Sequence, residues 1–432
     1  MPDDLTITSA VMDPDLLDLP WNVALEDWPE DNIVALPKGI SRHLVRFSSL
    51  SGSVIAVKET NAEMAQGEYD MLRALQRIEA PCVEPLAVIT NRRSKSGREL
   101  PSVLVTRHLK FSLPYRALFS STLRPDTATR LVDALALLLA RLHLLGFYWG
   151  DVSLSNTLFR RDAGAFAAYL VDAETGKLYE NKGLSDGQRE DDLEIARVNI
   201  AGELLDLEAG GRIDDDLDPL TVSSGIVAAY RSLWTELTGA EAFPVNERWR
   251  ITQRVEKLNR MGFDIEELSI TTAEGGSTVH IQPKVVDAGH HQRRLIRLTG
   301  LDTGENQARR LLNDLDTYAA RHSDSDWDEE MIAHRWLTRV FEPVVKAIPL
   351  DLRGKLEPAE VFHQLLEHRW FLAEAEGRSI PLAEALNSYI NSVLRHRRDE
   401  ATVIAPVTEA IALPPGVLDL DDDPTDDWRD KV

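Results

Sequence analysis

Three side chains in one short stretch have the types and spacing to handle a phosphoryl group. Residues 146 to 174 read GFYWGDVSLSNTLFRRDAGAFAAYLVDAE; Asp151 is followed five positions later by Asn156, and Asp172 closes the apolar run AAYLV. An aspartate in a tight loop can accept the proton of an attacking hydroxyl. An asparagine and an aspartate on neighbouring strands offer the hard oxygen ligands that Mg²⁺ requires. Upstream, SVIAVKET (residues 53 to 60) has an apolar strand pattern and carries Lys58 near its end, where an ammonium group could hold nucleotide phosphates. Lysine, base, amide and second acid therefore follow one another along the chain as a phosphoryl-transfer site would need them. Glu174, two positions past Asp172, could bind the metal itself or orient a group that does.

Several elements must position these groups. NAEMAQGEYDMLRALQRI has helical spacing, with Glu68 the one acid on a face shared by Met71, Leu72, Leu75 and Ile78. Glu68 is expected to turn inward and pair with Lys58; Glu63 is the alternative partner, because the interval from Lys58 to Glu68 is short. PKGISRHLVRF and SVIAVKE, separated by the turn formers of SSLSGS, predict a hairpin covering the nucleotide. Gly39, followed by no further glycine before the turn, is together with Ser41 and Arg42 the candidate phosphate contact. PLAVIT and PSVLVTRHL predict two more strands, the second ending at Thr106 to Leu109. The loop between them holds Arg92, Arg93, Lys95 and Arg98 and reads as a flexible, solvated turn.

Asp126 to Leu145 predicts an apolar helix whose last turn carries His143, read as a packed structural residue. The later helix EDDLEIARVNIAGELLDL has Asp192 near its start, placed either to brace the loop around Asp151 or to meet the helix dipole.

Taken together, LVRFSSLSGSVIAVKET, GEYDMLRAL, ARLHLLGFYWGDVSLSNTLF and AYLVDAET resemble the bacterial lipopolysaccharide-kinase-like branch (Kdo/heptose kinase type) of the protein-kinase-like superfamily. The latter half resembles a domain of unknown function that accompanies such kinase-like domains. The resemblance implies an α+β, bilobal protein-kinase-like fold with ATP and Mg²⁺ between the lobes, followed by a mainly α-helical accessory domain with a β-hairpin. In that frame Asp151 is the catalytic base, Asn156, Asp172 and Glu174 face the metal, Lys58 steadies the nucleotide and Glu68 positions the lysine. Thr106 to Leu109 become the hinge that meets adenine through backbone groups.

Three departures bear on the substrate. Trp149 and Gly150 stand where protein kinases have His and Arg, Ala173 and Glu174 stand where they have Phe and Gly, and no APE-like anchor follows. These favour a hydroxyl on a small molecule, sugar or lipid head group over a protein acceptor. The competing reading is a catalytically weak or inactive nucleotide-binding or scaffold module, raised by the poor glycine loop and the large partner domain.

Composition bounds the rest. The 432 residues include 71 acidic and 48 basic ones, a formal charge of −23, which disfavours a nucleic-acid partner. Cys82 is the only cysteine, so no intrachain disulfide forms and a cytoplasmic site is expected. No transmembrane segment is predicted, since LVDALALLLARLHLLGF is short and broken by Asp133 and Arg141.

The expected organisation is an acidic N-terminal lead-in over 1–30, loosely packed or mobile, then a kinase-like domain over 31–240. A helical accessory domain follows over 241–412, able to shape the acceptor site or carry a protein partner, and then an acidic disordered tail over 413–432. Within the accessory domain, residues 266 to 286 alternate around Gly275-Gly276 as a two-stranded hairpin does. His290 and His291 beside Arg293, Arg294 and Arg297 read as a solvated helix face, and Trp327, Trp336 and Trp370 as core.

Overall fold

In the computed structural model, residues 5–34, 43–119, 125–179, 183–213, 217–272, 278–322, 327–397 and 399–400 are described. The proposed phosphate contacts Gly39, Ser41 and Arg42, and the acidic tail, lie outside them.

Runs of β-branched and apolar residues build the first lobe's sheet. Strands β1 (Thr6–Ser9), β2 (Val45–Leu50), β3 (Ser53–Thr60), β4 (Pro85–Thr90) and β5 (Ser102–Arg107) pair antiparallel in the order β1-β4-β5-β3-β2. Side chains alternate across the sheet: Val103 and Val105 enter one cluster, while Leu104 between them enters the other with Val88. Ser51 and Gly52 both take positive φ, which lets two residues reverse the β2–β3 hairpin. Helix α1 (Ala62–Arg77) starts two residues after β3 ends, with the Asn61 side chain accepting from Met64 N at 2.8 Å. That immediate entry is what makes the Lys58 to Glu68 interval short. Ala65, Leu72 and Leu75 bury the helix against the sheet.

The N-terminal stretch is not a loose lead-in. Leu16, Leu19, Trp21, Leu25 and Trp28 are buried with Ile55, Val57, Leu86 and Ile89 on the sheet's outer face. Arg92 corrects a second expectation. It is 1% exposed, and its guanidinium donates to Trp21 O (3.1 Å), Val23 O (2.7 Å), Pro101 O (2.7 Å) and Glu59 Oε1 (2.8 Å). A buried guanidinium needs that many acceptors, and the irregular N-terminal backbone supplies two of them.

The second lobe is built on α3 (Pro125–Leu144), which packs against α5 (Pro219–Thr238), with α4 (Asp186–Ala209) beside α5; the short helix α2 (Tyr115–Leu118) precedes them. Ser185 and Gln188 form a capping box at the start of α4, and Asp218 caps α5. Two small sheets frame the loop at Asp151. One has β6 (Ser112–Pro114), β8 (Thr157–Asp162) and β9 (Ala165–Leu170) in the order β6-β8-β9; the other pairs β7 (Phe147–Tyr148) with β10 (Lys177–Leu178).

Beyond α5 the expected hairpin is a three-stranded sheet. Strands β12 (Phe263–Thr272) and β13 (Thr278–Ala288) pair as anticipated, and β11 (Glu241–Pro244) adds to the other edge of β13. Helices α6 (Trp249–Arg260), α7 (His290–Thr299), α8 (Glu305–Arg321), α9 (Glu329–Trp336), α10 (Glu342–Ala347), α11 (Pro358–Glu376) and α12 (Leu382–Ser392) complete the described chain. Trp336 centres their core, whereas Trp370 is 48% exposed, contrary to its expected burial. Arg293, Arg294 and Arg297 pair with Asp264, Asp287, Asp316, Glu329 and Glu330 rather than facing solvent alone.

The accessory helices are anchored to the second lobe at Asp162. This buried carboxylate accepts from Gln307 N (2.7 Å), Asn306 N (3.1 Å) and Asn306 Nδ2 (3.0 Å), capping α8 from another lobe. Gly304 is required there, because a Cβ would stand 2.4 Å from Asp162 Oδ1.

Candidate functional site

Strand β3, helix α1 and the segment after β9 each carry one charged group to a common point. Lys58 Nζ lies 2.9 Å from Glu68 Oε2, 2.6 Å from Asp172 Oδ2 and 3.2 Å from Glu174 Oε2. The expected Lys58–Glu68 pair is therefore formed, and Glu63 sits elsewhere in the first turn of α1. Burial and the Asp172 carboxylate push the Glu68 carboxyl up to about 7, with Lys58 opposing them only in part. Burial also works against the charge on Lys58, but Glu68 and Asp172 outweigh it and hold its pKa above the ordinary lysine value. His43, just before β2, adds a contact to Glu174 at 3.3 Å.

The loop after β7 holds the second group. Asn156 Nδ2 donates to Asp151 Oδ2 and to the Asp151 carbonyl, both at 3.1 Å. Backbone pairing of Val171 N with Asn156 O at 3.0 Å brings the asparagine beside Asp172. Asn199, on α4, donates to Asp151 Oδ1 at 3.1 Å and to Val152 O at 3.2 Å.

Asp192 braces the loop from the same helix: its carboxylate accepts from Trp149 N (2.8 Å) and Gly150 N (2.7 Å), and it meets His143 Nε2 at 3.2 Å. Glu203 accepts from Leu154 N (2.7 Å) and Ser155 N (2.9 Å). Gly150 holds φ +75°, a conformation costly for any residue with a Cβ, and a Cβ there would stand 3.1 Å from the Tyr148 ring and 3.3 Å from Thr175 O, a tight fit.

Asn199 and Glu203 were not singled out from sequence, and their signal is visible in retrospect. Asp192, Asn199, Glu203 and Asp206 recur at helical spacing along α4, on the face flanking the buried Leu193, Ala196, Ile200, Leu204 and Leu207. A polar stripe on a helix with that much apolar surface is either solvated or facing a polar site, and only packing distinguishes the two.

These groups share a cavity of about 840 Å³ between the lobes. Lys58, Glu68, Asp151, Asn156, Asp172 and Glu174 all line it, as do Thr106 and Leu109 from the segment joining the lobes. At that segment His108 N donates to Val54 O at 2.9 Å, and burial lowers the His108 pKa to about 4, keeping its ring neutral. Asp399 and Glu400 line the cavity too, so residues distant in sequence contribute a wall.

The donor set suits a hard divalent cation. Glu68, Asp172 and Glu174 each present a carboxylate oxygen, all within 4.8 Å of one another. Three carboxylates around one ammonium leave negative charge in excess, and the Asn156 side-chain oxygen makes no hydrogen bond among the described residues. Such oxygen ligands match Mg²⁺ chemistry.

Residues 49–194 match the model of the lipopolysaccharide kinase (Kdo/WaaP) family, and residues 232–394 match a domain of unknown function, DUF4032. A search of the curated proteins finds no match. Among solved structures the chain is similar to WaaP in complex with acyl carrier protein (14% identity, 52% of this chain and 87% of that chain covered, TM-score 0.33). It is also similar to an aminoglycoside-3'-phosphotransferase of type VIII (15% identity, 48% and 88% covered, TM-score 0.34). The segment similar to the lipopolysaccharide kinase family is thus followed by a mainly helical second part. Among the described residues no helix is long and apolar enough to cross a membrane.

Proposed function

We propose that this protein is an ATP- and Mg²⁺-dependent phosphotransferase acting on a hydroxyl of a small molecule, sugar or lipid head group. The observation that carries this reading is the convergence of Lys58, Glu68, Asp172 and Glu174 with the Asp151–Asn156 pair on one cavity. In the proposed reaction the acceptor oxygen forms a bond to the γ-phosphorus, the bond to the β–γ bridging oxygen breaks, ADP leaves, and the hydroxyl proton passes to Asp151.

Asn156 and Asn199 fix the two oxygens of Asp151, setting the direction from which that proton is accepted. Lys58 steadies the nucleotide phosphates, and Glu68 holds the lysine in place. Asn156, Asp172 and Glu174 would hold Mg²⁺, which when bound neutralises phosphate charge. Backbone groups of the Thr106–Leu109 segment, together with Gly39 and Ser41, are the proposed contacts to the rest of the nucleotide.

The test is ATP turnover by the purified chain across a panel of hydroxyl acceptors, with and without Mg²⁺. Asp172→Asn is expected to abolish metal-dependent turnover, and Asp151→Ala to reduce transfer by about a hundredfold or more while nucleotide still binds. Turnover that survives both substitutions would overturn the assignment. A nucleotide-binding module without catalysis is the second reading, favoured by Lys58 Nζ already being held by three carboxylates. ATP binding without metal-dependent transfer to any acceptor would select it.

A further inference from the structure

A second cavity, of about 320 Å³, lies where the second lobe meets the accessory helices. Its walls come from the turn between β8 and β9 at Gly164, the first turns of α3, one face of α11 and the region ending α12. Three guanidinium groups line it: Arg130, Arg161 and Arg397. Arg161 is committed, with Nε and Nη2 holding Glu400 at 2.8 to 3.0 Å. Arg130 and Arg397 form no ion pair among the described residues. Arg130 Nη1 donates to Gly164 O at 2.5 Å, and Arg397 Nη2 reaches Gln364 Oε1 at 3.4 Å. A guanidinium carries five N–H donors, so most of theirs are unspent.

His363 makes the site more than a charged surface. It is 4% exposed, and its Nε2 has no hydrogen-bond partner although it lies 3.4 Å from Glu367 Oε1. An orphaned buried ring nitrogen beside a cavity is costly unless something fills the cavity to meet it.

Two acids also line the space. Glu360 is satisfied from other directions, by Ala163 N (3.0 Å), Gln307 Nε2 (3.2 Å) and Gln364 Nε2 (2.8 Å). The Glu367 side chain is half exposed at the rim. Phe166, Phe371 and Tyr389 supply apolar and aromatic wall.

We propose that this cavity binds a phosphate monoester on a compact organic body, with Arg130, Arg397 and His363 each donating to the phosphate. Three donors from separate elements suit the three terminal oxygens of a monoester better than the two of a carboxylate. The volume exceeds that of inorganic phosphate, and the aromatic wall gives the organic part a place to pack. The site adjoins the cleft through one ion pair, since Arg161 lines this cavity and its partner Glu400 lines the other. A ligand here therefore bears on the cleft wall.

Calorimetric titration of the full chain with phenyl phosphate, inorganic phosphate and benzoate tests this. Phenyl phosphate is expected to bind most tightly, and Arg130→Ala and Arg397→Ala each to weaken it about tenfold or more. Because phenyl phosphate could enter the interlobe cleft, the titration is repeated on Lys58→Met, where binding is expected to persist; that arm holds whether or not the chain is a kinase. Absence of binding, binding unchanged in Arg130→Ala/Arg397→Ala, or binding lost in Lys58→Met would each overturn the proposal. Benzoate binding as well as phenyl phosphate would overturn the choice of phosphate.

Discussion

Asn199 Nδ2 stands 3.1 Å from Asp151 Oδ1 while Asn156 Nδ2 stands 3.1 Å from Asp151 Oδ2, so two amides from different elements clamp one carboxylate. Asn199 comes from α4, far from the loop in sequence. Replacing it with Ala removes a donor and frees the carboxylate to rotate. Because misplacing a reacting group by about an ångström costs roughly a hundredfold, Asn199→Ala is expected to lower kcat by that order with the KM for nucleotide nearly unchanged. A rise in KM at constant kcat would instead make Asn199 a nucleotide contact.

Asp192 bears on stability as much as on the site. Its fully buried carboxylate accepts the amides of Trp149 and Gly150 and meets His143, which in turn meets Tyr230 at 2.7 Å. Asp192→Ala would leave two buried N–H groups without acceptors, at about 1 to 3 kcal/mol each. Denaturant titration should show destabilisation of that order, with transfer activity lost in parallel. Loss of activity at unchanged stability would show that the loop is held by other contacts.

Arg92 pins the N-terminal segment by binding Trp21 O and Val23 O from inside the fold. Arg92→Met keeps the stem but loses every one of those hydrogen bonds. Hydrogen exchange of the amides in residues 16 to 28 should accelerate well before that of β3 and β5, since local opening there would cost less than global unfolding. Uniform acceleration throughout the first lobe would mean the segment and sheet unfold together.

The Asp162 anchor predicts a pH dependence with a definite sign. Burial pushes its carboxyl up from 3.8 to about 6, against the pull of the Gln307 and Asn306 donors. The folded state therefore binds this proton more tightly than the unfolded chain, and the group's contribution to stability is largest at low pH. It falls as pH rises through the interval from 3.8 to about 6 and is flat above it. The shift corresponds to about 3 kcal/mol. Subtracting the stability profile of Asp162→Asn from that of the native protein should expose this slope; a difference that is flat over the interval would contradict it.

Much of the site was legible because its signals are local. Lys58 in an apolar strand, Asp151 and Asn156 five positions apart, and Asp172 after a second strand each stand out against the pattern of their immediate neighbours in the chain, although the partners that hold them come from far along it. Glu68 was legible for the same reason, as one acid on an apolar helical stripe. The helical second part likewise follows from hydrophobic period, whereas the two-lobed arrangement was what the family resemblance implied.

What only the tertiary structure decided are the contacts that satisfy buried polar groups across long sequence separations. Arg92 reads as a solvated loop arginine until the N-terminal carbonyls that accept from it are in place. Asn199 and Glu203 read as a helix's wet face until α4 docks on the loop at Asp151. Asp162 was not singled out from sequence at all, and only α8 presenting its amides shows its role; Glu400 becomes part of the cleft wall by meeting Arg161. A polar side chain carries no mark of whether water or another segment will satisfy it. That choice is made only when packing removes the water, which is why the residues that meet at the cleft could be read along the chain and their supports could not.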